Sequence, residues 1–194
     1  MFNEYALLPT HHLKKDTSYY HPENVTEIVH LDTSALKVFT DFHVRPPEMI
    51  SKNKLASEAL EKMKNAGVKG LIVVDDNEHT QGFISSLDIA GIKKTTAAQE
   101  NSVTPAEVTI DMLMTPTSSL LVFDYKDLSN ARVGHIARLL HEHSLQHLIV
   151  FEINTQGESL ARGIFSRSRI SRQLGMDIGA DMSSHSVADM NKRI

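Results

Sequence analysis

Apolar residues in this chain fall into patterned stretches that occur twice. In the first, Leu55, Ala59, Leu60 and Met63 recur at helical spacing with charged residues between them, which predicts an amphipathic helix over residues 55–67. Gly67 stands where a helix C-terminus takes a left-handed residue. The run Leu71-Ile72-Val73-Val74, bounded by Gly70 and by Asp75-Asp76-Asn77, predicts a short buried strand that ends in a turn. Gln81-Gly82-Phe83-Ile84-Ser85 predicts a second strand antiparallel to the first, and Asp88-Ile89-Ala90 opens a short second helix. Upstream, residues 35–39 suit a short helix or strand, which Pro46-Pro47 separates from the amphipathic helix.

The order then repeats. Val133, Ile136, Ala137 and Leu140 share one face of a second helix. Leu148 to Phe151 aligns with Leu71 to Val74 at an offset of 77, while the glycines Gly82 and Gly163 align at 81. An insertion of four residues in the strand-to-strand turn is the expected source of the difference, since turns accept insertions readily. Ile170 to Leu174 repeats the closing helix. A duplicated supersecondary unit divides the chain into an extension (1–34), a first motif (35–94), a linker (95–109), a second motif (110–175) and a tail (176–194). Within the linker, Thr104-Pro105-Ala106-Glu107 has the residues of a helix start. The extension is expected to dock on the body without joining its core, and the tail to be loose or one marginal helix.

Composition narrows the function classes. With 41% hydrophobic residues over 194, one unit with a sizeable core is expected. The net charge of −4 disfavours broad attraction to nucleic acid or anionic lipid. No cysteine is present, so disulfides, thiolate nucleophiles and Cys-ligated zinc are excluded. No apolar run approaches the ~20 residues that span a membrane, and the first residues do not read as a signal peptide. The expected location is the cytoplasm.

Three segments in this order resemble the CBS-domain family. Gly82-Phe83-Ile84-Ser85-Ser86-Leu87-Asp88 fits its pattern of glycine, two apolar residues, Ser or Thr, two more, then Asp. Asp111-Met112-Leu113-Met114-Thr115-Pro116 is similar to the Asp-x-Met-Thr approach to a motif's first strand, with one extra residue. Asn65-Ala66-Gly67-Val68-Lys69 before an apolar strand is the third match. The resemblance covers residues 42–175. It implies an α+β fold in which two β-α-β-β-α motifs pack about a pseudo-twofold axis as a Bateman module, and it implies pairing into a homodimer. It further implies clefts for an adenosine-type ligand: AMP as first expectation, ATP second, with ADP or S-adenosylmethionine as variants.

The resemblance also implies site residues. Ser85 would contact phosphate, Asp88 would accept from the ribose hydroxyls, and Gly82 would permit close backbone approach. The loop from Val44 to Ile50, with Gly70 and Leu71, would frame the base, and Lys69 would add a phosphate contact. Ser85 and Asp88 equally suit a helix cap. The second motif keeps Gly163 and Ser166 but carries Arg169 where the first has Asp88, and Gln146 where the first has Lys69. Arginine accepts no hydrogen bond, so ribose recognition of the usual kind is lost there. The cluster Arg162, Arg167, Arg169 and Arg172 either attracts phosphates or an acidic partner, or is a solvated helix start. One competent cleft and one altered cleft are expected.

His141-Glu142-His143-Ser144-Leu145-Gln146-His147 invites a metal reading, but the spacing is not H-E-x-x-H, and solvated helix-end histidines fit better. No nucleophile elbow, Walker loop or dinucleotide fingerprint is present, so the expectation is a non-enzymatic regulatory module without metal or cofactor. Its partners would be the nucleotide and an effector protein of unknown identity, and the alternative is a structural interaction module with unoccupied clefts. Binding of single-stranded nucleic acid is disfavoured, with only 6% aromatic residues to stack on bases.

Overall fold

The computed structural model describes residues 28–179 continuously, together with residues 6, 9–12, 14, 15 and 17. Strands β1 (Thr40–Asp41), β2 (Met49–Ser51), β3 (Gly70–Val74) and β4 (Thr80–Ser85) are joined by helix α1 (Ala56–Ala66) and followed by α2 (Ser86–Ala90) and α3 (Ile92–Glu100). The second half runs β5 (Thr115–Pro116), β6 (Val122–Asp124), α4 (Val133–Glu142), β7 (His147–Ile153), β8 (Ser159–Ser166) and α5 (Arg167–Leu174). Leu55 caps α1 instead of opening it, so the buried face is Ala56, Ala59 and Met63. The Thr104 and Glu107 side chains bond as in a helix start, at 2.6 Å, yet only a turn forms there; the linker's helix is α3, one segment earlier.

The apolar runs lack polar alternation because both faces of each central strand are covered. Leu71, Val73 and Ile84 point into a core with α1, α2 and α3. Leu148, Val150 and Phe165 point into the matching core under α4 and α5. The intervening residues Ile72, Val74, Phe83 and Ile149 meet one another between the two sheets, with Ile164 packed against them. Alternate side chains of a strand face opposite ways, so a run apolar throughout is what a strand buried on both sides requires.

Each sheet takes its edge strand from the other half. The first sheet is ordered β2-β3-β4-β5 and the second β1-β8-β7-β6. Thus β5 of the second half pairs with β4 through Gly82↔Pro116, and β1 of the first half pairs with β8 through Asp41↔Gly163. The approaches follow the same exchange. Ala35, Val38 and Phe39 lie in the second core, and Val108, Ile110 and Leu113 in the first. Backbone bonds fasten both crossings, Ala35 N–H to the Ala131 carbonyl and Ala56 N–H to the Val108 carbonyl, each at 2.9 Å.

Three expectations are corrected here. The turns 75–79 and 154–158 are equally long; the four extra residues lie in the strands, two in β7 and two in β8. Adding residues in pairs preserves which side chains face the core, so the hairpin lengthens without loss of register. The extension does enter the core, through Val29, which is 3% exposed and whose N–H donates to the Gln173 carbonyl at 3.0 Å. The start of the tail is docked as well: Ile178 is fully buried and its carbonyl meets His141 Nδ1 at 2.9 Å. Residues 180–194 lie outside the described residues.

Candidate functional site

The two signature glycines occupy equivalent places, Gly82 opposite Val73 and Gly163 opposite Val150, each followed outward by a register shift. A methyl group at Gly82 would strike the Thr115 carbonyl, and one at Gly163 the Phe39 ring and the Thr40 carbonyl. What approaches these glycines closely is therefore the exchanged edge strand. This corrects the role expected of Gly82, since the backbone it admits is that of β5.

After the glycines the two halves diverge. In the first, the Ser85 backbone N–H and hydroxyl both donate to Asp88 Oδ2, at 2.9 and 2.6 Å, while Lys93 donates to Oδ1 at 2.9 Å. Burial pushes the Asp88 carboxyl up, but these bonds outweigh it and hold the group below the usual carboxylate range. Ser85 and Asp88 thus form a closed capping box on α2. In the second half Arg169 replaces the carboxylate, no side chain caps α5, and the Ser166 hydroxyl lies 3.2 Å from that of Ser168. Arg169 reaches across the exchange instead, donating to Thr40 Oγ1 at 2.8 Å.

A cavity of about 610 Å³ opens between the motifs on the side of this second signature. Its walls are the 42–48 loop, the α1–β3 turn with Lys69 and Gly70, the inter-sheet residues Ile72, Phe83 and Ile164, and the start of α5 with Ser166, Ser168 and Arg169. Among the described residues, Lys37, Arg45 and Arg172 bring the lining to five cations, against one carboxylate, that of Glu48, which lies 3.6 Å from Lys62. Cations and apolar residues in one recess suit an anion with a flat apolar part.

The cavity therefore joins residues expected in different clefts. Lys69 and Gly70 line it together with Ser166 and Arg169, whereas Ser85 and Asp88 do not line it. Leu71 and Ile50, expected to frame a base, have side chains in the first hydrophobic core, at 0% and 9% exposure. Both sit in strands whose alternate residues face the helices. The arginine cluster is also divided. Arg169 and Arg172 line the cavity, Arg167 lies at a shallow recess beside Gln146 and Asp177, and Arg162 is occupied elsewhere. Arg45 was legible only as part of its loop. Among the described residues no group of three or more His, Asp or Glu side chains is placed to hold a metal ion, and no helix is long and apolar enough to cross a membrane.

Residues 38–93 match the sequence profile of the CBS domain. Solved structures extend the likeness to both halves. An uncharacterized conserved protein from Pyrococcus horikoshii superposes with a TM-score of 0.52 at 19% identity, over 74% of this chain and 93% of its own. The CBS domain pair of protein MJ0100, determined with 5′-methylthioadenosine and S-adenosyl-L-methionine, gives 0.50 at 22% identity, over 74% and 96%. The chain folds as a CBS pair. The conserved CBS domain protein TA0289 of Thermoplasma acidophilum, of unknown function, matches this CBS pair at 0.50 and 22% identity, over 79% and 73%. Among curated proteins no sequence matches.

In this CBS pair His147 is not a solvated helix-end residue. It is the first residue of β7, the counterpart of Gly70, and its ring lies 5.1 Å from that of Phe83, with Nδ1 buried and, among the described residues, without a hydrogen-bond partner. The offset of 77 that aligns the strands was the signal for this placement. Burial pushes its pKa down to about 4; the Asp88 charge opposes that push and Lys69 adds to it. The unfolded chain, with an ordinary histidine pKa of ~6.5, binds this proton first as pH falls. The stability carried by neutral His147 is therefore complete above that value and is lost between it and about 4. With the ring still in contact with solvent, the loss from pH 7.5 to 5 is about 1 kcal/mol. Urea unfolding at both pH values measures it, and His147→Phe is expected to shrink the difference by that amount. An equal loss in the variant would assign the pH dependence to other groups.

Proposed function

We propose that this CBS pair is a cytoplasmic, non-catalytic regulatory module that binds an adenine nucleotide between its motifs. The observation that carries the reading is the gathering of five cations in one inter-motif cavity of a chain whose net charge is −4. The MJ0100 pair, of like fold, was determined with two adenosine-type ligands, and the apolar wall of Ile72, Phe83 and Ile164 suits an adenine ring. Charge-assisted bonds from lysine and arginine strengthen with each phosphate, so the expected order with AMP first is revised: ATP and ADP rank ahead of AMP, and S-adenosylmethionine, a cation, comes last. Binding acts as a switch where the nucleotide fits one arrangement of the motifs better than another. In this reading a second copy of the chain and an effector protein receive the signal.

Isothermal titration with ATP, ADP, AMP and S-adenosylmethionine tests the proposal. Saturable binding in that order is expected, weakened at least ~10-fold by Lys69→Glu, which turns a cation of the wall into an anion. Absence of heat from all four, with an unshifted melting temperature at millimolar ligand, would leave the structural interaction module as the better account.

A further inference from the structure

The cations of the cavity come from opposite walls. Arg169 and Arg172 are three residues apart on α5, so they share a helix face, and both reach the cavity from the second motif. Lys69, at the α1–β3 turn, stands on the first motif, whereas Arg45 follows the exchanged strand β1, its N–H donating to the Asp41 carbonyl at 2.9 Å. A ligand whose phosphates all lay at one end would leave one of these groups facing an uncharged part of it.

The internal repeat shows what changed. At the third residue after the strand serine, the first half places Asp88, a carboxylate that can only accept, while the second half places Arg169, a guanidinium that can only donate. A vicinal diol is matched by the former. A phosphate is matched by the latter, which offers paired donors and charge to the same group. Ser166 and Ser168, whose hydroxyls bond to each other at 3.2 Å at the start of α5, leave one more donor on that wall.

We infer that the cavity is specific for a nucleotide phosphorylated at two separated points, on the sugar's 2′ or 3′ oxygen as well as on its 5′ oxygen. The sugar phosphate meets Arg169 and Arg172, and the 5′ phosphate meets Lys69. This rests on the reading of the cavity as a nucleotide site and adds the class of nucleotide.

The test compares ligands with equal numbers of phosphoryl groups. Adenosine 3′,5′-bisphosphate and adenosine 2′,5′-bisphosphate are titrated beside ADP into the wild-type protein, Arg169→Gln and Arg169→Asp, with melting temperatures measured to verify folding of each. At least one bisphosphate is expected to bind the wild type ~10-fold or more tightly than ADP, the size of one good charge-assisted contact. Both variants are expected to lose that preference while still binding ADP. ADP binding as tightly as both bisphosphates would overturn the inference and leave the nucleotide site standing. A preference that survives intact in Arg169→Gln would also overturn it, since another group would then be reading the second phosphate. No binding by any of the three would remove the nucleotide reading and this inference together.

Discussion

Gly163→Ala is expected to destabilise the protein by about 3 kcal/mol, a large part of the roughly 5–15 kcal/mol that keeps a domain folded. The added methyl would sit against two groups that cannot both retreat. One is the ring of Phe39, 9% exposed and packed on Phe165 with ring centroids 5.3 Å apart. The other is the Thr40 carbonyl, part of the backbone pairing between β1 and β8. Relief requires β1 to lift away from β8, which opens the second core on its Phe39 side. Gly157→Ala is the informative comparison. Gly157 has a positive φ of 83° but nothing within 4 Å of the added carbon, so only backbone strain of about 1 kcal/mol is expected. Thermal and urea unfolding of the two variants separate the crowding of a crossing strand from the preference of a turn. Equal, small effects would mean that β1 is held loosely.

Arg162→Ala is expected to cost about 2–4 kcal/mol, the second large effect. The guanidinium donates to both oxygens of Asp41, at 2.9 and 3.0 Å, and to Glu152 at 2.7 Å, and it lies 4.2 Å from the centre of the Tyr125 ring. Its side chain is 14% exposed, so these are not freely solvated charges. Bonding to Arg162 holds the Asp41 carboxyl below the usual carboxylate range and pushes the arginine further up. Removing the arginine leaves two partly exposed carboxylates, at 24% and 35%, without their shared cation, and their unrelieved charge adds to the loss of the contacts themselves. Replacing Asp41 and Glu152 by apolar residues in the Arg162→Leu background is therefore expected to restore part of the stability. A triple variant as unstable as Arg162→Ala would put the cost in packing rather than in the unpaired charges. Both tests address the same junction, since Gly163 and Arg162 are neighbours on β8 facing β1.

Much of the fold is legible in the residues because local pattern and tertiary structure agree. The duplicated order and the helix face of Val133, Ile136, Ala137 and Leu140 report neighbours close in sequence. Arrangements made at long range escape such a reading. Nothing local to residues 35–41 says that they pack on the other motif, because an apolar lead-in has the same pattern whichever core receives it. The site eludes it for the same reason: position along the chain groups Lys69 with Asp88, whereas the exchange sets Lys69 across from Arg169. Symmetry hides the length of the turn, as an insertion of four in a loop and two insertions of two in strands produce the same offset. The Ser85 and Asp88 pair leaves capping and binding both open in sequence, and the structure displays the cap.

The exchange of edge strands also sets the order in which the chain can become stable. The first sheet waits for β5, and the second core waits for residues near the N-terminus to meet β8, a closure spanning 121 positions in the Arg162–Asp41 pair. During synthesis, Val38 and Phe39 emerge early and find their places only when the second motif has left the ribosome. Such distant closure slows folding and favours a single cooperative transition over two. The topology is that of a strand-swapped dimer whose two subunits have been fused into one chain, so the halves are partners rather than domains.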